Sequence, residues 1–215
     1  MRRTFPSSRT DVSRVKDVPV LVYMIRHGQT DWNAESRLQG QKDIGLNALG
    51  RAQASANGTA LAALLGDSKH SYDFVCSPLS RTRETMERAR IAMHLPASGY
   101  RTDDRLVEIS FGDWEGLTLT ELKVRAPERL AARNATKWDF IPPGDDAESY
   151  EILSWRIGSW LASVTGPTVC VSHGGVIRTL FWLVGATPKE IAASADIPQD
   201  RILKIDLQAG SIDWI

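Results

Sequence analysis

Two histidines of this chain have the same local sequence context. His27 follows the apolar run VLVYMI and Arg26, and a glycine comes next. His173 follows the apolar run TVCVS and precedes two glycines. Each run has the length of a buried strand, and ligands of α/β proteins bind beyond the carboxyl ends of strands. Both imidazoles are therefore predicted to face one ligand crevice.

Two arginines bring positive charge to the same region. Arg26 adjoins His27, and Arg81 lies at the start of the helix predicted for LSRTRETMERARIAM, just after the second apolar run. Guanidinium groups and helix N-termini are recurrent phosphate-binding groups, because their N–H groups match phosphate oxygens. Gly28 and Gly174 would let backbone amides approach such an anion closely. The pattern predicts a pocket for an anion, built from imidazole and guanidinium groups.

One acidic residue is a candidate proton donor. Glu108, in the segment LVEISFGDWEG, has apolar neighbours on both sides. A carboxyl group that is partly removed from water retains its proton more readily and can act as a general acid. Asp113 and Glu115 are alternatives, but the glycines around them indicate an exposed turn. Glu108 is therefore the preferred candidate.

Other kinds of site are less consistent with these residues. A metal site made by His27, His173 and an acid would bring a divalent cation next to arginines that repel it. A serine hydrolase would need G-x-S-x-G, which the chain lacks, and no P-loop motif occurs. His70 and His94 lie near helix ends in polar settings and are expected at the surface. No metal or cofactor is predicted.

Apolar runs and helical patterns alternate along the chain. Three runs have the character of buried strands: PVLVYMI, YDFVCSP and PTVCVS. Four segments have helical character: NALGRAQASANGTALAALL, with Asn47 as candidate N-cap, LSRTRETMERARIAM, ESYEILSWRIGSWLASV and GGVIRTLFWLVG. Short helices are expected at LTLTELKVRA and PERLAARN, an extended piece at RLVEISFGDWEG, and a hairpin from RILKIDL and SIDWI. This alternation predicts an α/β layered fold.

Length and composition restrict the class of protein. The 215 residues, 42% hydrophobic, suit one globular domain over residues 20–215, preceded by a basic, polar and flexible tail over residues 1–19. Lys+Arg and Asp+Glu balance at 26 each, which argues against a general nucleic-acid binder. No apolar run is long enough to span a membrane, and the tail lacks a signal-peptide core. Cys76 and Cys170 lie in apolar runs and are expected to be free thiols, which favours a cytoplasmic location.

Five segments together resemble a known family. RHGQTDWN, RLQGQKDIGLNALG, CSPLSRTRET, LVEISFGDWEG and VSHGGVIRTL resemble, in order, the motifs of the histidine phosphatase superfamily, the phosphoglycerate-mutase-like group. The resemblance covers the chain from about residue 20 to residue 183. It implies a three-layer α/β/α sandwich around a central, mostly parallel sheet.

The resemblance also implies roles for individual residues. His27 matches the nucleophile that becomes phosphohistidine, and Glu108 matches the proton donor of those members that carry it there. His173 is expected to be protonated while it helps to stabilise the transferring phosphoryl group. The groups that hold the phosphate or cover the site match Arg26, Asn33, Gln39, Gly40, Arg81 and His173.

The chain departs from the usual family pattern at two places. DIGLN stands where the family usually has a proline before the leucine and a Thr or Ser cap, so Gly45 and Asn47 are expected to alter that loop. PPGDDAES stands where the family more commonly has Gly-Gly-Glu-Ser. A substrate role for Glu148 and Ser149 is therefore in doubt. The segment FGDWEGLTLTELK resembles the phosphatase branch of the family. The mutases of the family have a different sequence after the acid.

The predicted function is hydrolysis of a small phosphate ester through a phosphohistidine. The first alternative is a phosphoglycerate mutase, which transfers the phosphoryl group, and the second is a non-catalytic module that binds a phosphorylated ligand. The sequence leaves the substrate and the oligomeric state undetermined. Specificity is expected to lie in residues 114–149, where Trp138 and Phe140 could line the mouth of the site.

Overall fold

A six-stranded sheet forms the centre of the computed structural model, which describes residues 20–215. The predicted tail over residues 1–19 lies outside the described residues. The strand order across the sheet is β3-β2-β4-β1-β5-β6. The strands are β1 (Leu21–Arg26), β2 (Asp73–Cys76), β3 (Arg101–Thr102), β4 (Thr168–Ser172), β5 (Ile202–Asp206) and β6 (Ser211–Trp214).

The first four strands run parallel to one another, β5 runs antiparallel to them, and β6 runs antiparallel to β5. Strand β4 pairs in parallel with β1 and β2, and β2 pairs in parallel with β3. Strand β5 is antiparallel to β1 and forms a hairpin with β6. The mostly parallel sheet and the closing hairpin, both predicted from sequence, are confirmed.

Eight α-helices connect and cover these strands within the described residues. The N-cap predicted at Asn47 is confirmed, since its side chain accepts a hydrogen bond from the Gly50 N–H. Ser149 caps a later helix in the same way through the Ile152 N–H. The helices are α1 (Asp31–Ala34), α2 (Ala48–Leu65), α3 (Ser80–Ala92), α4 (Leu119–Arg125), α5 (Pro127–Ala135), α6 (Tyr150–Ala162), α7 (Gly174–Leu183) and α8 (Lys189–Ala192).

Both faces of the sheet are covered by helices, as the α/β/α prediction requires. Along β1, Val22 and Met24 pack in one apolar cluster with residues of α6 and α7. Tyr23 and Ile25 point to the other face and pack in a second cluster with residues of α2 and α3. Because both sets of side chains are buried, β1 is a continuous apolar run rather than an alternating one.

The expected extended piece at RLVEISFGDWEG is wrong in part. Only Arg101–Thr102, just before it, forms a strand, and the segment itself contains 3₁₀ turns at Asp104–Leu106 and Gly112–Trp114. The Arg156 guanidinium accounts for part of the difference, because it binds backbone carbonyls of this segment that a sheet neighbour would otherwise bind. Gly112 has φ +54°, which also turns the chain away from an extended path.

The register of the parallel strands brings the two histidines together. Arg26 at the end of β1 pairs with Ser172 at the end of β4. His27 and His173 are the next residues, and the His27 N–H donates to the Ser172 carbonyl at 2.9 Å. Both histidines therefore leave neighbouring strands at the same carboxyl edge, as the sequence predicts.

Both cysteines are free and buried, as expected from the sequence. Burial raises the pKa of the Cys76 thiol to about 12, so this thiol is not activated. Among the helices of residues 20–215, none has the length and apolar character needed to cross a membrane.

Two glycines within helices allow opposite predictions for stability. A Cβ at Gly58 would overlap the Ala89 carbonyl, where α2 lies against α3, whereas a Cβ at Gly158 would meet no atom within 4 Å. We expect Gly58→Ala to destabilise the protein by about 1–3 kcal/mol through overpacking. Gly158→Ala should stabilise it by about 0.4–1 kcal/mol, because alanine lowers the entropy of the unfolded chain. Urea unfolding of both variants measures these changes, and equal stabilities would contradict the close helix approach.

Candidate active site

His27 is buried and uncharged, and one of its ring nitrogens carries a free lone pair. The residue is only 2% exposed, and its Nδ1 is 2.8 Å from the Gly28 carbonyl oxygen. A carbonyl oxygen only accepts, so Nδ1 carries the proton and Nε2 keeps its lone pair. Burial and the nearby Arg81 and Arg26 hold the pKa of His27 well below the usual 6.5. The free imidazole is therefore neutral at physiological pH.

His173 lies directly beside His27. The two ring centroids are 5.2 Å apart, and the His173 Nε2 is 2.8 Å from the Ser77 hydroxyl oxygen. Within residues 20–215, its buried Nδ1 has no hydrogen-bond partner. Burial and the Arg81 charge hold its pKa well below 6.5. In the free site an imidazolium would be unfavourable beside Arg81 and Arg26, so the protonated form predicted for His173 requires a bound anion.

Arg81 is a fully buried cation that is only partly bound. Its guanidinium donates to the carbonyls of Lys42 and Gly40, both at 2.7 Å. Its Nε has no partner within the described part of the chain. Burial lowers the pKa of Arg81 to about 10, so the group keeps its charge at neutral pH. It also anchors the Gly40 loop that was predicted to cover the site.

Arg26 is similarly placed at the end of β1. One of its terminal nitrogens donates to the Ile197 carbonyl at 2.6 Å, and its buried Nε has no partner in residues 20–215. Burial, together with the charge of Arg178, lowers the pKa of Arg26 to about 10. The two arginines thus bring two unsatisfied N–H donors and two charges to the same region.

The polar residues Asn33 and Gln39 hold the loop after β1. Asn33 Oδ1 accepts from the Thr30 N–H and from the Gln199 side-chain amide, each at 3.1 Å. Gln39 Oε1 accepts from the Thr30 hydroxyl at 2.6 Å, and its buried Nε2 has no partner among the described residues. Gln199 also donates to the His27 carbonyl at 3.1 Å, a contact that the sequence did not reveal.

Glu108 reaches the same site from the segment before α4. The residue is half-buried, and its carboxylate accepts the Gly175 N–H at 3.0 Å and the Ile109 N–H at 2.9 Å. Its backbone carbonyl accepts from Arg156 at 3.0 Å and from Gln41 at 3.1 Å. Its backbone is therefore held by two side chains while its carboxyl lies at the start of α7.

The two alternative acids are placed differently. Asp113 is exposed and lines a separate hollow with Asp145 and Asp146. The Glu115 carboxylate accepts the N–H groups of Gln41 and Phe111, at 2.9 Å and 3.2 Å, and so holds the loop. Neither lines the cavity beside His27. The preference for Glu108 is thus supported by geometry.

A cavity of about 140 Å³ connects most of these groups. Seven of the nine predicted site residues line it, whereas Arg81 and His173 are fully buried and are not among its lining residues. Larger hollows exist elsewhere, but none of those described contains these residues. The seven are Arg26, His27, Asn33, Gln39, Gly40, Glu108 and Gly174.

The residues at the two sequence departures have structural contacts. Asn47 serves as the helix cap, which a Thr or Ser usually provides in the family. Glu148 pairs with Arg156 at 2.8 Å and accepts the Ser110 N–H at 3.1 Å, while Ser149 caps α6. Glu148 and Ser149 do not line the cavity, so the doubt about their substrate role is consistent with the structure.

Several residues at or beside the site were missed from sequence. Arg178 lies on α7, one turn after Gly174, and lines the cavity, as does Tyr150 at the start of α6. The spacing of Arg178 within SHGGVIR was an available signal, because residues four apart share one face of a helix. Arg156 gave no such signal, since the carbonyls that it binds lie about 50 residues earlier.

The fold and the site define an α/β protein with a paired-histidine anion site at the carboxyl edge of its sheet. The family model of the histidine phosphatase superfamily (branch 1) matches residues 22–214, and the chain belongs to this family. The resemblance read from its five motifs is confirmed.

Individual relatives agree with this assignment. A glucosyl-3-phosphoglycerate phosphatase of Mycolicibacterium vanbaalenii is 35% identical over 168 residues, which cover 73% of this chain and 70% of the relative. The phosphatase PhoE of Bacillus subtilis is 31% identical over 80% of this chain and 81% of its own length. The solved structure of Bacillus stearothermophilus YhfR has a TM-score of 0.74 and 28% identity, covering 90% of this chain and 94% of that one.

Proposed function

We propose that this protein hydrolyses phosphate monoesters of a small metabolite, with His27 as the nucleophile. One observation carries the proposal. Of five buried side-chain polar atoms without partners in residues 20–215, four belong to predicted site residues: Arg26 Nε, Gln39 Nε2, Arg81 Nε and His173 Nδ1. Buried polar groups are normally paired, so four unpaired ones around a single site indicate a missing polar ligand. A phosphoryl group supplies oxygens that accept from all four, once His173 carries a proton on Nδ1.

The first chemical step transfers the phosphoryl group to the protein. His27 Nε2 attacks phosphorus, the bond from phosphorus to the ester oxygen breaks, and the phosphoryl group becomes attached to His27. Glu108 donates its proton to the departing alcohol.

The second step returns the protein to its starting state. The Glu108 carboxylate takes a proton from water, whose oxygen attacks phosphorus as the bond to His27 breaks. Inorganic phosphate leaves, and both side chains regain their initial forms. Arg26 and Arg81 stabilise the phosphoryl oxygens in both transition states, so protein side chains supply the positive charge.

The remaining features of the proposal concern partner and location. The reactant is a small phosphate ester, since the cavity beside His27 measures about 140 Å³. We place the reaction in the cytoplasm, because two free buried thiols are typical of a reducing compartment. No nucleic-acid partner is proposed, in keeping with the balanced charge.

Trapping the intermediate tests the proposed function. Wild-type protein is mixed with p-nitrophenyl phosphate and quenched at alkaline pH, and peptides containing His27 are examined by mass spectrometry. We expect one added phosphoryl group that acid removes, together with catalytic release of phosphate.

Other outcomes would identify the alternatives. Conversion of 3-phosphoglycerate to 2-phosphoglycerate without phosphate release would indicate a mutase. Phosphate binding without turnover or labelling would indicate the non-catalytic module. Either result would contradict the proposal.

A further inference from the structure

A second hollow lies beyond the catalytic cavity and has basic walls. It measures about 310 Å³ and is lined by residues 133–139, at the end of α5 and after it, with Glu190 and Ser194. Two of its lining residues are the cations Arg133 and Lys137, and both side chains are partly buried. The proposed two-step reaction uses neither.

Stacked aromatic rings place this hollow next to the catalytic cavity, since Trp138 of the hollow and Tyr150 of the cavity have ring centroids 5.7 Å apart. Arg178, which lines the catalytic cavity, lowers the pKa of both Arg133 and Lys137. Tyr150, also on the catalytic cavity, raises the pKa of Arg133. Burial, Arg133 and Arg178 together lower the pKa of Lys137 to about 8. The three cations therefore lie on two neighbouring hollows, with Arg178 on the catalytic cavity and Arg133 and Lys137 on the second hollow.

These three cations lack acidic partners within residues 20–215. Arg178 donates to the Ala195 carbonyl at 2.9 Å, and Arg133 donates to the Asn134 side chain at 3.2 Å. No ion pair is formed by Arg133, Lys137 or Arg178 in this part of the chain. The acids Asp139 and Glu190 line the hollow, but both are exposed and neither is within pairing distance.

Arg37 provides a contrast within the same catalytic cavity. Its guanidinium is neutralised by Glu35 at 2.6 Å and by Glu121 at 3.2 Å. Arg37, a cavity cation that holds the loop, is thus paired with acidic side chains, whereas the three cations above are not. Three unpaired, mutually repelling cations are unfavourable unless an anion joins them.

We propose that Arg178, Arg133 and Lys137 bind a second anionic group, a carboxylate or a phosphate, on the alcohol part of the substrate. The inference rests on the proposed function, because it concerns the part of the ester that leaves. Arg26 and Arg81 already surround the phosphoryl group beside His27. The further cations then select esters that carry two separated negative groups.

Matched substrates test this inference. 3-Phosphoglycerate and glycerol 3-phosphate differ in a carboxylate, while glucose 1,6-bisphosphate and glucose 6-phosphate differ in a second phosphate. We expect the wild-type kcat/KM to favour the more anionic member of at least one pair by about tenfold or more, as one or two charged contacts provide. The pair that shows the preference identifies the anion.

Substitutions then locate the group that gives the preference. In the double variant Arg133→Gln, Lys137→Gln, we expect the ratio of kcat/KM within that pair to fall about tenfold, and by a smaller factor in each single variant. Because the ratio is taken within one variant, a general loss of activity cancels. Arg129→Gln removes an exposed cation from the same helix, outside the hollow, and should leave the ratio unchanged.

The outcomes separate the two proposals. Equal kcat/KM values within both pairs, with p-nitrophenyl phosphate hydrolysed, would overturn the inference and leave the proposed function intact. A preference that persists in the double variant would also overturn it. Absence of turnover with all five esters would instead contradict the proposed function.

Discussion

Replacement of His27 with alanine is expected to lower kcat for every phosphate monoester by about four orders of magnitude or more, as loss of a nucleophile does in other enzymes. The reason is chemical, because no other side chain that lines the cavity in residues 20–215 offers a neutral, unprotonated nitrogen at this position. His173 is close, yet its Nε2 is bound to Ser77 and the proposal uses its Nδ1 as a donor to the phosphoryl oxygens, so neither nitrogen offers a lone pair for attack. It therefore cannot replace His27.

The measurement is phosphate release under saturating p-nitrophenyl phosphate, with trapping of the labelled protein in parallel. His94→Ala is a matched control, because His94 is exposed and outside the cavity, and it should keep wild-type activity. Among the described residues, the His27 side chain bonds only to the carbonyl of the next residue, so its removal should leave no distant group unpaired. Robust turnover by a folded His27→Ala protein would exclude His27 as the nucleophile.

The fold was predictable because its signals are local. The continuous apolar runs of β1 and β4 required two covered faces, and that requirement predicts helices on both sides of the sheet. Asn47 indicated the start of α2, because its capping contact is with Gly50, only three residues later. The segment around Glu108 was predicted less well, because its path depends on Arg156, a residue from a distant helix.

The site was predictable to the extent that strand ends determine it. Arg26, His27 and His173 follow neighbouring parallel strands, so their meeting needed no side-chain detail. The neutral state of His173 in the free site could not be predicted, because its pKa depends on burial and on the nearby charge of Arg81. A sequence motif identifies the residue types, but it gives neither the burial of the ring nor the position of the nearby charge.

The same distinction applies to specificity. Residues 114–149 were expected to contain the selective groups, and Arg133 and Lys137 lie in this segment. Trp138 lines the same hollow as these two cations, although it is only 3% exposed and stacks on Tyr150. Which residues of a helix such as α5 face a hollow depends on how the whole helix packs, and packing is set by contacts distant in sequence.

Substitution of Glu108 by glutamine is expected to slow hydrolysis of alkyl phosphates by about 10²–10⁴-fold, the usual contribution of general acid–base catalysis. The kcat/KM for p-nitrophenyl phosphate should fall much less, because p-nitrophenolate leaves without a proton and kcat/KM does not include the later hydrolysis of phosphohistidine, which needs Glu108 for every substrate. The amide keeps an oxygen that can accept the Gly175 N–H, so the start of α7 should stay in place. Comparison of kcat/KM for p-nitrophenyl phosphate and for glycerol 3-phosphate measures this difference, since kcat/KM reports the step in which the alcohol leaves.

Asp113→Asn is the matched control, since this acid is exposed and lines a separate hollow, and it should affect both substrates equally and little. Equal losses on both substrates in Glu108→Gln would mean that the carboxyl only shapes the site. A selective loss on alkyl phosphates, in Glu108→Gln alone, would locate the proton at this side chain. The leaving-group dependence thus separates proton transfer from electrostatic support, because only proton transfer depends on the basicity of the departing oxygen.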